Sequence, residues 1–158
     1  MHGLVVANTV VAATACSVWD IYGSLQVVTI INTFMPHVLG TVKVLEGDGQ
    51  VGTPLNVTFP PGTPGVGYMK EKITKVNYKK RVKETKTIEG GFLALGFKRY
   101  ITQYKIIENN FTSSIIRSTI KYEVDDKLSN LASIVNTKLV ETLAETVGKY
   151  LTEKKAPP

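Results

Sequence analysis

Residues 114–151 read SIIRSTIKYEVDDKLSNLASIVNTKLVETLAETVGKYL, and the hydrophobic period changes inside this stretch. Up to Val124 the period is two: Ile116, Ser118, Ile120, Tyr122 and Val124 share one face, and Arg117, Thr119, Lys121 and Glu123 the other. Successive side chains of a strand point to opposite faces, so this is a sheet with one covered side and one wet side. Beyond Val124 apolar residues recur at steps of three or four. Leu128, Leu131, Val135, Leu139, Leu143, Val147 and Leu151 line one stripe of a helix. Asp125 and Asp126 fall at the positive end of its dipole, Lys149, Lys154 and Lys155 near the negative end. The stretch predicts one strand feeding one long amphipathic helix that lies against a sheet, which is an α+β arrangement.

Upstream, Tyr100, Thr102, Tyr104 and Ile106 form one face of the preceding strand, and Asn109-Asn110 suits the hairpin turn between the two. From Leu39 to Val124 the signals are strands and tight turns, broken at Gly47-Asp48-Gly49 and Pro60-Pro61-Gly62. Residues 4–12 read as a first strand. Two short helices follow, joined near Gly23-Ser24. The first has Thr14 as N-cap and carries Val18, Trp19 and Tyr22; the second carries Val27, Ile30, Ile31 and Phe34 and must stop before Pro36.

The 158 residues, 43% hydrophobic and 20% charged, fit one domain with its own core, spanning residues 1–158 with a frayed tail at about 154–158. A single cysteine, Cys16, leaves no intrachain disulfide and no cysteine metal cage; it reads as a small buried residue of the first helix, in keeping with a cytoplasmic protein. The apolar run from Leu4 to Ala15 has no preceding Lys or Arg, is interrupted by Asn8 and Thr9, and is too short to cross a bilayer, so neither a leader nor a membrane segment is expected. The net charge of +6 is concentrated between Lys70 and Lys86, where only Tyr68 and Tyr78 could stack on bases. A solvated lysine-rich hairpin is expected there rather than a nucleic-acid groove.

Gly47-Asp48-Gly49-Gln50-Val51-Gly52 matches the dinucleotide pattern G-x-G-x-x-G, but a strand-like segment, Leu55 to Phe59, follows where that site needs a helix. A glycine-rich hairpin turn is the reading. His2 and His37 have no acidic partners at ligand spacing, and with one internal histidine no serine or cysteine triad assembles, so neither a metal nor another cofactor is expected. Glu71 shares a strand face with Met69 and Ile73. A carboxylate on a covered face has a raised pKa and can serve as acid or base, and Lys83 on the next strand of that hairpin could lie nearby; the surface ion pair is the competing reading.

Taken in order, these pieces resemble the birch-pollen-allergen (Bet v I) family of plant pathogenesis-related proteins over nearly the whole chain. The matching residues are Trp19, Glu46-Gly47-Asp48-Gly49-Gln50-Val51-Gly52-Thr53, Lys70-Glu71-Lys72, Arg81-Val82-Lys83, Ile88-Glu89-Gly90-Gly91, Leu95-Gly96, the strand from Ser114 to Asp125 and the terminal helix. The resemblance implies a helix-grip, START-like fold: a curved seven-stranded antiparallel sheet wrapped around a long C-terminal helix, two short helices in a V, and an internal ligand cavity.

Within that family the middle of the chain is similar to the branch containing norcoclaurine synthase and norbelladine synthase, which condense an arylethylamine with an aromatic aldehyde in plant alkaloid biosynthesis. Glu71 and Lys83 match the glutamate and lysine of that site. Met69 stands at the tyrosine position of the norcoclaurine enzymes, and the tyrosine here is Tyr68, as in norbelladine-type sequences; Thr102 stands where a catalytic aspartate would be. In a regular strand Tyr68 and Glu71 face opposite ways, so a bulge is needed to bring both inward. The resemblance implies Tyr68, Glu71 and Lys83 as catalytic residues, and Val57, Phe59, Met69, Ile73, Phe92, Tyr100, Thr102, Leu139 and Leu143 as ligand-binding. It implies a small aromatic or hydrophobic ligand, and a separate reductase or free reductant if an imine product is to be reduced. The alternative it leaves open is a non-catalytic carrier of flavonoids, cytokinins or other hormones in plant defence. The gate and latch loops of the hormone receptors that share this fold are not found here, nor acid–base machinery for a ribonuclease.

Overall fold

A computed structural model describes residues 1–155, with side chains through Glu153. The expected frayed tail therefore lies largely outside the described residues. The elements run β1 (His2–Val11), α1 (Ala15–Tyr22), α2 (Gln26–Phe34), β2 (Thr41–Val44), β3 (Pro54–Thr58), β4 (Tyr68–Asn77), β5 (Val82–Gly90), β6 (Phe97–Glu108), β7 (Ser114–Val124) and α3 (Lys138–Lys155). Short 3-10 segments occupy Gly91–Leu95 and Asp126–Ile134.

The strands form one antiparallel seven-stranded sheet in the order β1-β7-β6-β5-β4-β3-β2. Only the chain's first strand crosses over, to pair with its last; every other neighbour pair is consecutive in sequence, as short turns dictate. The helices pack on one face of this sheet: α1 against β6 and β7, α3 against β1 and β7, and α2 against β2. Two side-chain devices set the V of α1 and α2. Thr14 caps α1 by accepting from the Ser17 N–H at 3.1 Å. Asn32 of α2 exchanges two hydrogen bonds with the backbone of Val42, pinning α2 to the edge strand β2.

The motif Gly47 to Gly52 is the β2–β3 connection, as the missing helix foretold. Its Gly47, Gly49 and Gly52 all have positive φ, and the Thr53 hydroxyl accepts from the Gly49 N–H at 3.0 Å.

Two expectations are corrected. The stripe from Leu128 to Leu151 is not one helix. Leu128 and Val135 leave helical geometry, with ψ of 21° and 122°, and α3 begins only at Lys138. The cause is local: β-branched Ile134 and Val135 precede Asn136, whose side chain takes over backbone groups on both sides of it. Its carboxamide oxygen accepts from the Lys138 N–H, and its nitrogen donates to the Ile134 carbonyl. Cys16, expected buried, is exposed. Ala15, Val18, Trp19 and Tyr22 hold the inward side of α1, and Cys16 lies one step of about 100° away from it.

Two packed clusters result. One joins α1, α2 and α3 to the middle of the sheet through Val18, Ile21, Ile73, Ile116, Leu143 and Val147. The other gathers Phe97, Tyr100, Tyr122 and Val124 under Val135 and Val140.

Candidate active site

Between the two clusters lies a cavity of about 570 Å³, lined by residues of both. Its lining is mostly apolar. Val38, Val66, Leu95, Ile134 and Leu139, each 40–51% exposed, mark where it meets solvent.

The polar groups are concentrated on three adjacent strands. Period two turns Met69 and Glu71 of β4, Lys83 and Thr85 of β5, and Tyr100, Thr102 and Tyr104 of β6 to the cavity. Cross-strand register then sets neighbours: Lys83 lies opposite Tyr104 and Thr85 opposite Thr102, while Glu71 pairs with Thr87. Of the lysines between Lys70 and Lys86, only Lys83 is buried, at 3% exposure; Lys72, Lys75, Lys79 and Lys80 face solvent. Its Nζ donates to the carbonyl of Ser24, at the junction of α1 and α2, at 3.4 Å.

The electrostatics of this band follow from burial. Desolvation raises the Glu71 pKa, opposed by a hydrogen bond from Thr85 and by the charge of Lys83. Glu71 keeps partial accessibility, but on the cavity side. Desolvation pushes Lys83 down to about 8, opposed by the charge of Glu71. Burial, and then the carboxylate of Glu71, raise the pKa of both Tyr100 and Tyr104, so these phenols stay protonated and act as donors. Aromatic contacts hold them in place: Tyr100 stacks on Phe92 at 4.4 Å and 13°, and Tyr104 leans on Tyr22 at 5.0 Å.

The fold brings together most of the residues singled out in the sequence. Glu71, Lys83, Val57, Phe59, Met69, Phe92, Tyr100, Thr102, Leu139 and Leu143 all line the cavity. Ile73 does not; it is 0% exposed and packed in the core. Tyr68 does not either. The bulge needed to turn it inward lies on the other strand: Lys70 pairs with Glu89 and Glu71 with Thr87, leaving Ile88 of β5 as the extra residue. Alternation along β4 is therefore unbroken from Tyr68 to Glu71. Tyr68 stays on the outer face, where its hydroxyl donates to the carboxylate of Glu89 at 2.7 Å.

Tyr104, Thr85 and Tyr22 were not singled out, yet all three line the cavity. The first two were readable, because Tyr104 shares its strand face with Tyr100 and Thr102, and Thr85 shares one with Lys83. Tyr22 had no such signal, since an aromatic on the inner side of a helix is ordinarily core.

This arrangement places an acid–base carboxyl, a partly titratable ammonium and two phenols along one side of an apolar chamber. Such a chamber can exclude water from a small aromatic ligand while moving protons at one edge of it.

A family model described as the pathogenesis-related protein Bet v 1 family matches residues 2–154. The chain is 37% identical over 156 residues to norbelladine synthase of Narcissus pseudonarcissus, covering 99% of this chain and 96% of that one. It is 35% identical over 147 residues to S-norcoclaurine synthase 2 of Papaver somniferum, covering 92% of this chain but only 63% of that longer protein. Among solved structures it resembles norcoclaurine synthase from Thalictrum flavum in complex with dopamine and hydroxybenzaldehyde. The TM-score is 0.87 at 27% identity, covering 99% of this chain and 90% of the other.

Proposed function

The chain belongs to the pathogenesis-related protein Bet v 1 family, and from that premise we propose that it is a condensing enzyme of alkaloid biosynthesis, joining an arylethylamine to an aromatic aldehyde. The observation that carries this reading is the desolvated Glu71 and Lys83 on one side of a mostly apolar cavity. Desolvating a carboxyl and an amine together costs stability, and a carrier of apolar ligands has no need of both.

In this reading the free amine attacks the carbonyl carbon. The C–N bond forms as the Lys83 ammonium hydrogen-bonds the carbonyl oxygen, which leaves a carbinolamine once a proton has passed from nitrogen to oxygen. Glu71, its pKa raised by burial, donates a proton to the departing hydroxyl; the C–O bond breaks, water leaves and an iminium remains. The carboxylate then takes back a proton, giving the neutral imine. Positioned acid–base groups contribute roughly 10²–10⁴-fold each. Closure of the cavity over the ligand would protect the imine from hydrolysis. With Thr102 where a further carboxylate would assist ring closure, the reaction ends at the open imine.

The condensation transfers no electrons, so reduction of the imine falls to a partner reductase. A cytoplasmic location is part of the same proposal. Among the described residues no helix is long and apolar enough to cross a membrane.

A second reading, a carrier of a small hydrophobic ligand, is favoured by Met69 and Thr102, which leave the cavity short of two polar groups of the better-known chemistry. One experiment separates the two. Purified protein is given tyramine and 4-hydroxybenzaldehyde, the imine is trapped with borohydride, and Glu71→Ala and Lys83→Ala are run beside it. Turnover above background that is lost in both variants supports the enzyme; background rates in all three, with tight binding of a flavonoid or cytokinin, leave the carrier.

A further inference from the structure

We propose that the Tyr104 hydroxyl is a ligand contact of this cavity, holding a phenolic oxygen of the substrate on the side facing Lys83. The inference deepens the reading above and rests on it for the class of ligand.

The geometry is that of a cross-strand pair. Lys83 and Tyr104 lie directly opposite each other on β5 and β6, and both side chains line the cavity. Residues in that relation have Cβ atoms about 4.5–5.5 Å apart, so the phenol reaches the same part of the cavity as the ammonium, whose own acceptor is the aldehyde oxygen. Lys83 is aimed by its bond to the Ser24 carbonyl, and the Tyr104 ring by Tyr22, a side chain with no exposure at all.

The Tyr104 hydroxyl is available. Among the described residues no group hydrogen-bonds to it. Tyr68 differs on both counts, since it lies outside the cavity lining and its hydroxyl is engaged with Glu89. Tyr100 differs too. It stands just beyond the paired stretch of β5 and β6, which runs from Ile101 to Lys105, and its ring is stacked flat on Phe92 as part of the wall. A hydroxyl held in a desolvated wall without a protein partner gains most from a ligand oxygen, and a site built around it discriminates against an analogue that lacks one.

The test reads binding rather than turnover. Tyramine and phenethylamine, which differ by the phenolic hydroxyl, are titrated by calorimetry into wild type, Tyr104→Phe and Tyr68→Phe. Wild type is expected to bind tyramine about tenfold more tightly than phenethylamine, an ordinary value for one hydrogen bond to a desolvated group. Tyr104→Phe should lose that preference while keeping its affinity for phenethylamine, and Tyr68→Phe should match wild type. Tyr104→Phe removes no hydrogen bond within the protein, so it should fold, which thermal unfolding checks. The proposal is overturned if Tyr104→Phe keeps the preference or weakens both amines alike. It is equally overturned if Tyr68→Phe loses the preference, or if wild type shows none. A preference that depends on Tyr104 in a protein without turnover would sink the enzyme and leave the phenol contact standing.

Discussion

Lys83 pairs across the β4–β5 hairpin with Val76, five residues along β4 from Glu71, yet the two charges act on each other through the cavity that both line. For each group desolvation outweighs this attraction, so both are pushed toward their neutral forms. Burial thus holds the Glu71 pKa above its ordinary value and the Lys83 pKa below its own.

Lys83 titrates near pH 8, and the proposed chemistry uses its ammonium. Enzyme-dependent condensation is expected to fall as pH rises through about 8, whereas the uncatalysed reaction accelerates as the amine loses its proton. Initial rates from pH 6 to 10, corrected for background, check this; a flat profile to pH 9.5 would mean that no ammonium takes part. Stability has the opposite sign. The folded pKa lies below the ordinary 10.5, so the unfolded chain binds the proton more tightly between about 8 and 10.5. Stability therefore rises with pH across that window, by roughly 3 kcal/mol at most. Urea unfolding at pH 7.5 and 10.5 should show that gain in wild type relative to Lys83→Met.

Glu71→Gln keeps the shape of the side chain and removes its proton chemistry. Turnover is expected to drop by about 10²–10⁴-fold, with the affinity for tyramine within about threefold of wild type. Single-turnover trapping of the imine, set beside calorimetric binding, distinguishes the two effects. Comparable losses of binding and rate would make Glu71 an anchor instead.

Gly90 closes β5 at the bulge with φ of 69°, and a Cβ there would stand 2.5 Å from the Tyr68 carbonyl oxygen. Gly90→Ala is expected to destabilise the fold by about 1–3 kcal/mol, read from the urea midpoint. Because Gly91 and Phe92 of the cavity wall follow directly, ligand affinity should weaken as well. An unchanged midpoint would show that the strand end adjusts freely.

The Tyr22 hydroxyl is buried, and it finds no hydrogen-bond partner among the described residues. Tyr22→Phe removes an unsatisfied group from a fully buried ring, so the ligand-free protein should gain about 1 kcal/mol of stability, measured by chemical unfolding. A loss of similar size would mean that the hydroxyl is satisfied by an ordered water.

Much of the fold was legible because it rests on local periods. The alternation of β6 and β7, the Thr14 cap, the turn at Gly47 to Gly52 and the apolar face of α3 each follow from neighbours in sequence. The break before α3 escaped that reading. A stripe at steps of three or four continues through Leu128 and Leu131 although the backbone leaves the α-helix, and the competing side-chain bonds of Asn136 carry no period.

The sequence by itself determined that Met69, Glu71 and Ile73 share one face of their strand and that Tyr68 lies on the other, because alternation is a property of a single strand. Only the tertiary structure decided what those faces meet. The bulge fell at Ile88 of β5 rather than on β4, and this kept Tyr68 outside. The register of β5 against β6 set Tyr104 opposite Lys83, and the packing of three helices left a cavity there instead of a filled core. Register and packing arise between segments far apart in the chain, from cross-strand hydrogen bonds and shape, and no local pattern encodes them.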